Sequence, residues 1–194
     1  SSPEWCPRES TLASGDTGGV NLRIGPFDVG TPLVLAPMAG VTNAPFRSLC
    51  RRFGAGLFVS EMITARALVE GNEKTLRLAG FSPEEKPRSL QLYGVDPRWV
   101  GEAVAWLVGE GHVDHLDMNF GCPARKVTRR GGGAALPLKP RLLRNIVRAA
   151  VDGQLAGASP LGVDGVLELV HRHLAEHGGD RPLDRLGEQV EPLV

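Results

Sequence analysis

Along the chain, short apolar runs alternate with longer stretches in which apolar residues recur every three or four positions. Thr31–Met38 (TPLVLAPM), Leu57–Met62 (LFVSEM), Arg88–Tyr93 (RSLQLY) and His115–Phe120 (HLDMNF) are runs of the kind that buried parallel strands show. Between them the period changes to that of helices. Asn43 is placed to cap a helix over Ala44–Arg52, with Pro45 in its first turn. Thr64 starts a second helical stretch through Ala65, Leu68 and Val69. Asp96 and Pro97 open a third, whose Val100, Ala103, Val104, Leu107 and Val108 fall on one stripe. Pro140 opens a fourth, with Leu142, Leu143, Ile146, Val147 and Ala150 on one face and Arg141, Arg144 and Arg148 on another.

Four β-α units in order, with short connections, predict an α/β fold with a parallel sheet, either part of a (β/α)8 TIM barrel or doubly wound. No G-x-G-x-x-G follows the first strand, which weighs against a dinucleotide-binding Rossmann domain. A whole barrel typically needs about 250 residues, and this chain has 194. After Val151 the rhythm stops: GQLAGASPLG reads as a linker, Val163–His177 as an amphipathic helix and Leu183–Val190 as another. The expected organisation is a disordered leader over residues 1–20, a partial barrel over 21–151, and a linker with a helical tail over 152–194.

Composition changes this picture little. With 42% hydrophobic and 23% charged residues, the chain has the balance of a soluble folded protein. It has no run of 18 apolar residues, and the opening SSPEWCPRES has neither a basic nor an apolar signal region, so a cytoplasmic protein without a membrane partner is expected. Cys6, Cys50 and Cys122 form no C-x-x-C pair, which fits a reducing compartment better than disulfides or a structural zinc. His171, His173 and His177 include one i, i+4 pair without a third ligand, so they read as exposed helix histidines, and no metal is expected.

Charge changes it more. The net charge is zero, yet Asn119–Val151 carries Arg125, Lys126, Arg129, Arg130, Lys139, Arg141, Arg144 and Arg148 and no acid. From Asp152 onward eight acids face only Arg172, Arg181 and Arg185. Such a block suits a polyanion, although a solvated helix face is the plain alternative.

In a parallel barrel the functional residues lie at the carboxyl ends of strands. Here those ends are Ala36–Gly40, Ser60–Met62, Gln91–Gly94 and Asn119–Pro123. Gln91 and Asn119 offer amide donors and acceptors. Cys122 offers a thiol, a group mostly protonated near pH 7 and so able to give up a proton. Each also has a plainer reading: Cys122 as an inert buried residue, Gln91 as a satisfied interior group, Met38 and Met62 as core, and Gly131–Gly133 as a flexible loop.

Taken together, LAPMAGVTNAPFR (35–47), SEM (60–62) with NEKT (72–75), QLYG (91–94) and DMNFGCPARKVTRRGGGAAL (117–136) resemble the tRNA-dihydrouridine synthase family, from about Leu22 to Val151. That family folds as an FMN-holding TIM barrel followed by a small tRNA-gripping helical domain. The resemblance implies that Cys122 is the general acid, that Pro37, Met38 and Ala39 hold the flavin ring through backbone contacts, and that Gln91 hydrogen-bonds the ring. It implies that Asn119 orients the uracil, that Lys126, Arg129 and Arg130 meet tRNA phosphate, and that NADPH is the reductant. Only the first four β-α units of the family's barrel are evident. Its fifth-strand lysine, sixth-strand histidine and the glycine-containing phosphate loops after strands seven and eight have no placed counterpart, so a truncated or internally deleted member is expected. Two functions follow as expectations: FMN-dependent reduction of tRNA uridine, or an inactive half barrel with residual RNA affinity. Exposed sheet edges suggest a homodimer.

Overall fold

The computed structural model describes residues 22–157. The expected leader, the tail helices at 163–177 and 183–190, and the three tail histidines lie outside the described residues. The chain opens with a hairpin of β1 (Leu22–Ile24) and β2 (Phe27–Gly30), paired antiparallel. The main sheet holds β3 (Val34–Leu35), β4 (Leu57–Thr64), β5 (Ser89–Tyr93) and β6 (His115–Met118), all parallel and laid side by side in chain order. A doubly wound sheet reverses its strand order at a switch point. None occurs among these strands, and the chain is an α/β protein of the (β/α)8 class with four β-α units described.

Helix α1 (Ala44–Arg51) follows β3, and α2 (Ala65–Val69) and α3 (Glu73–Leu78) follow β4. Helix α4 (Pro97–Gly109) follows β5, while α5 (Arg125–Thr128), a 3-10 turn at Gly133–Ala135 and α6 (Pro140–Gly157) follow β6. The caps form as the sequence predicts. Asn43 accepts the Phe46 N–H at 3.0 Å and Asp96 accepts that of Arg98 at 2.9 Å, each with a proline in the first turn. Asn72 caps α3 in the same way through Thr75 N–H, in a segment for which the sequence pattern predicts no helix.

Three boundaries differ from expectation. The strand over Thr31–Met38 shortens to two residues, because Met38 already belongs to a turn that ends at Thr42. Strand β4 runs on to Thr64 and contains an irregularity between Val59 and Met62, which accommodates Ser60 and Glu61. Helix α6 continues through 152–157, where a linker is expected. Its Gly153 lies against the backbone oxygen of Gly101 on α4, and Gly157 against that of Ala105, closer than any Cβ permits. These glycines let two helix backbones approach rather than break a helix. A Gly153→Val substitution should therefore push α6 off α4 and cost about 1–3 kcal/mol, readable as a shift in the urea midpoint.

Alternation along the strands sorts the two sheet faces. Ile63, Leu90, Leu92 and Leu116 pack with Val100, Ala103, Val104 and Leu107 of α4 and with Ile146 and Ala150 of α6 into the main core. The opposite face carries Ser89 and Gln91 of β5 beside His115 and Asp117 of β6. Its lower end is covered by the hairpin, where Val29 packs on Leu57 and Val59.

At that end Asp114 ties β6 to the start of β5. Its carboxylate accepts from the backbone N–H, Nε and Nη2 of Arg88 at 2.8–2.9 Å, with Lys86 Nζ at 3.5 Å. Burial alone pushes the Asp114 carboxyl up, but the Arg88 hydrogen bonds and charge, with Lys86, outweigh this and hold it at about 2 against an ordinary 3.8. A depressed carboxyl pKa stabilises the fold above the unfolded value and stops doing so as pH falls through the folded one. Asp114→Asn should accordingly flatten the loss of thermal stability between pH 3.8 and about 2; an unchanged acid limb would show that the pair contributes nothing.

Candidate active site

The carboxyl ends of β3–β6 surround a cavity of about 380 Å³ lined by Pro37, Ala39, Met62, Gln91, Met118, Asn119, Phe120, Gly121, Cys122 and Pro123. That volume is within the range of small-molecule sites, roughly 300–1,000 Å³. Pro37, Ala39, Gln91, Asn119 and Cys122 are thus brought together as the sequence predicts.

Met38 is not among the lining residues. Its N–H donates to Thr42 Oγ1 at 3.0 Å, and its carbonyl accepts from the N–H groups of Val41 and Thr42. Met38 is 39% exposed, so it shapes the turn and is not core. Ala39 and Pro37 form the wall, and the turn is fixed from below by Glu61, whose Oε2 accepts the Gly40 N–H at 2.5 Å.

The polar side of the cavity is a chain of hydrogen bonds. Asn119 Oδ1 accepts the backbone N–H of Cys122 at 3.1 Å, and Asn119 Nδ2 donates to Gln91 Oε1 at 3.0 Å. Gln91 Nε2 donates to Asp117 Oδ2 at 2.6 Å, and its backbone N–H donates to Ser60 Oγ at 3.1 Å. Gln91 is buried and hydrogen-bonded, and it also lines the cavity. Below it, Ser89 Oγ lies 2.8 Å from His115 Nδ1. Burial lowers the His115 pKa, with Asp117 partly opposing, which keeps the ring neutral at neutral pH.

Cys122 is half-buried and free of any disulfide, rather than sealed in the core. The glycine loop beside it is packed, not loose. Gly133, at φ +53°, lies against the Cys122 carbonyl and within 2.8 Å of Val127 Cγ1 for an added Cβ, and the Ala134 N–H donates to that same carbonyl at 3.1 Å. Gly132 meets the Tyr93 ring, whose hydroxyl pKa is raised by burial, with Arg130 opposing.

Lys126 lies on α5, and Arg129 and Arg130 follow it, all three exposed and outside the cavity lining. Arg141, Arg144 and Arg148 are exposed along α6. None of these six takes part in an ion pair among the described residues.

Met62, Met118 and Phe120 complete the lining, and Asp117 anchors the amide chain behind it. Asp117 is the functional neighbour that motif reading passes over. The signal for it is the period-two series His115, Asp117, Asn119 on one strand face. No helix among the described residues is long and apolar enough to cross a membrane, and no cluster of metal-ligating side chains occurs among them.

A sheet of parallel strands in chain order, with amides and a thiol collected at the strands' carboxyl ends, defines a barrel-class protein with its site at the usual face. The sequence model of the dihydrouridine synthase (Dus) family matches residues 34–156. A probable tRNA-dihydrouridine synthase of Mycobacterium tuberculosis is 52% identical over 163 residues, covering 79% of this chain and 42% of the relative. The Mycobacterium leprae counterpart is 48% identical over 170 residues, covering 73% and 44%. tRNA-dihydrouridine synthase B of Shewanella oneidensis is 41% identical over 131 residues, covering 67% and 40%. The chain belongs to the dihydrouridine synthase family. It spans 42%, 44% and 40% of the length of these curated relatives.

Proposed function

We propose that the chain forms the ring- and uracil-facing part of a cytoplasmic tRNA-dihydrouridine synthase that uses FMN and NADPH. The observation that carries this reading is the cavity in which Cys122, Asn119 and Gln91 meet the Pro37–Ala39 wall. Its lining suits a flat heteroaromatic ring: Pro37, Ala39, Met62 and Phe120 are apolar, while Gln91 and Asn119 keep amide hydrogens and lone pairs for a polar ring edge. None of the lining residues is cationic, so the cavity fits the ring and not the phosphate of the cofactor.

When bound, reduced FMN supplies a hydride to C6 of uracil. Cys122 Sγ–H would give the proton to C5 and be left as a thiolate, so that the C5=C6 double bond becomes a single bond with one new C–H bond at each carbon. Asn119 orients the base, which must leave the RNA stack to reach the cavity. Pro37 and Ala39 exclude water from one side.

Lys126, Arg129 and Arg130 meet the tRNA backbone, continued by the arginines of α6. Alanine at all three should weaken tRNA binding and lower the slope of log affinity against log salt by about 2–3, at roughly 0.7–0.9 per phosphate contact. A slope equal to that of the unaltered chain would remove them from the interface.

The direct test is titration of the purified chain with FMN, followed by an assay for dihydrouridine in tRNA with NADPH. Stoichiometric FMN binding with product formation supports the synthase reading. A second reading, RNA affinity without turnover, is favoured by the uncharged cavity lining. It predicts salt-dependent tRNA binding with no flavin retained. Association of two copies through the β3 and β6 edges belongs to the same proposal, and sedimentation of the chain reads it.

A further inference from the structure

The amide chain behind the cavity has a fixed polarity, and its ends explain why. A side-chain amide has a donor end and an acceptor end, and either orientation suits most neighbours. Here one end of the chain is the Asp117 carboxylate, which only accepts, and the other is the Cys122 backbone N–H, which only donates. Between them Gln91 must turn its nitrogen to Asp117 and its oxygen to Asn119. Asn119 must then turn its nitrogen to Gln91 and its oxygen to Cys122. Reversing either amide sets donor against donor or acceptor against acceptor.

We infer that Asp117, which does not itself line the cavity, is a positioning residue that fixes the Gln91 amide and, through it, backs the Asn119 amide that the Cys122 N–H holds from the other side, and so sharpens which pyrimidine edge the site accepts. The inference rests on the uridine reading above. Asn119 has one N–H and one oxygen lone pair left for a ligand. That pair matches an edge with a carbonyl oxygen beside a ring N–H, as in uracil. Cytosine carries an amino group beside an acceptor nitrogen and needs the reversed amide. An Asn119 free to flip would serve both bases, whereas a locked one discriminates. Losing a matched pair of hydrogen bonds is worth about tenfold or more in affinity.

The test uses the isotopically labelled full chain and nuclear magnetic resonance. In the unaltered chain the Asn119 side-chain amide and the Cys122 backbone N–H should be protected from solvent exchange. Asp117→Leu should cut that protection by about tenfold or more, while the α4 and α6 backbone amides, buried elsewhere, keep theirs and report that the variant is folded. Asp117→Asn, which still offers an acceptor oxygen, should retain most of it. Titration with uridine and cytidine monophosphates should shift the Asn119 signal at about tenfold lower concentration for uridine, and Asp117→Leu should narrow the difference. Equal protection in the unaltered chain and Asp117→Leu overturns the lock. A uridine preference undiminished in Asp117→Leu overturns its role in selection. If protection depends on Asp117 but neither nucleotide moves the Asn119 signal, the uridine reading falls and the lock stands.

Discussion

Replacing Arg47 by alanine is expected to cost about 3–5 kcal/mol of stability, the range for removing one partner of a buried ion pair. Arg47 is 1% exposed and yet every nitrogen of its guanidinium has a partner. Nε and Nη2 donate to the two oxygens of Glu85 at 2.5 and 3.1 Å, Nη1 to the Thr42 carbonyl at 2.7 Å, and Nη2 also to the Gly80 carbonyl at 3.0 Å. The group lies over the Phe81 ring, 5.1 Å from its centroid. Alanine leaves the Glu85 carboxylate buried with its main partner gone and strands two carbonyls. The damage reaches the site, because Thr42 fixes the Met38 turn that places Pro37 and Ala39. Lysine should not rescue, since one ammonium cannot copy the planar fork. Pairing Arg47→Met with Glu85→Gln should recover much of the loss, because no buried charge then remains. Urea unfolding of the three variants decides the matter; a loss under about 1 kcal/mol for Arg47→Ala would mean that the pair is solvated in solution.

On the proposed synthase reaction, in which Cys122 is the general acid, Cys122→Ala should lower uridine reduction by about 10²–10⁴-fold, the usual contribution of such a group. The thiol lines the cavity, and its own backbone is held from two sides, by Asn119 Oδ1 on the N–H and by the Ala134 N–H on the carbonyl. Removing Sγ changes neither hydrogen bond, so the loop and the Pro37–Ala39 wall should survive. The expected pattern is therefore selective: unchanged FMN affinity, unchanged NADPH consumption in the first turnover, and slow appearance of dihydrouridine. A variant that binds FMN normally and makes product at the original rate would assign the proton to another group.

Much of this architecture can be read from the chain. The strands announce themselves as apolar runs because both faces of a parallel sheet are covered, and Asn43–Pro45 and Asp96–Pro97 mark helix starts by chemistry that few other arrangements use. What escapes is whatever depends on a neighbour distant in sequence. Gly153 and Gly157 read as breakers until α4 is beside them. Met38 reads as strand or core until Thr42 folds back on it. The hairpin β1–β2 is too short to signal itself, since its stability comes from packing on Leu57 and Val59. In the site, Cys122, Asn119, Gln91, Pro37 and Ala39 follow from position at strand ends, whereas Asp117 gains its meaning only from a bond across to β5.

The hairpin has a practical corollary. It seats Val29 against the entry half of β4, at the opposite end of the strands from Gln91, Asn119 and Cys122. The backbone at Leu22 therefore lies behind the cavity. A biotin or surface linker joined at Leu22 itself would hold the protein with its cavity mouth facing outward on a sensor chip.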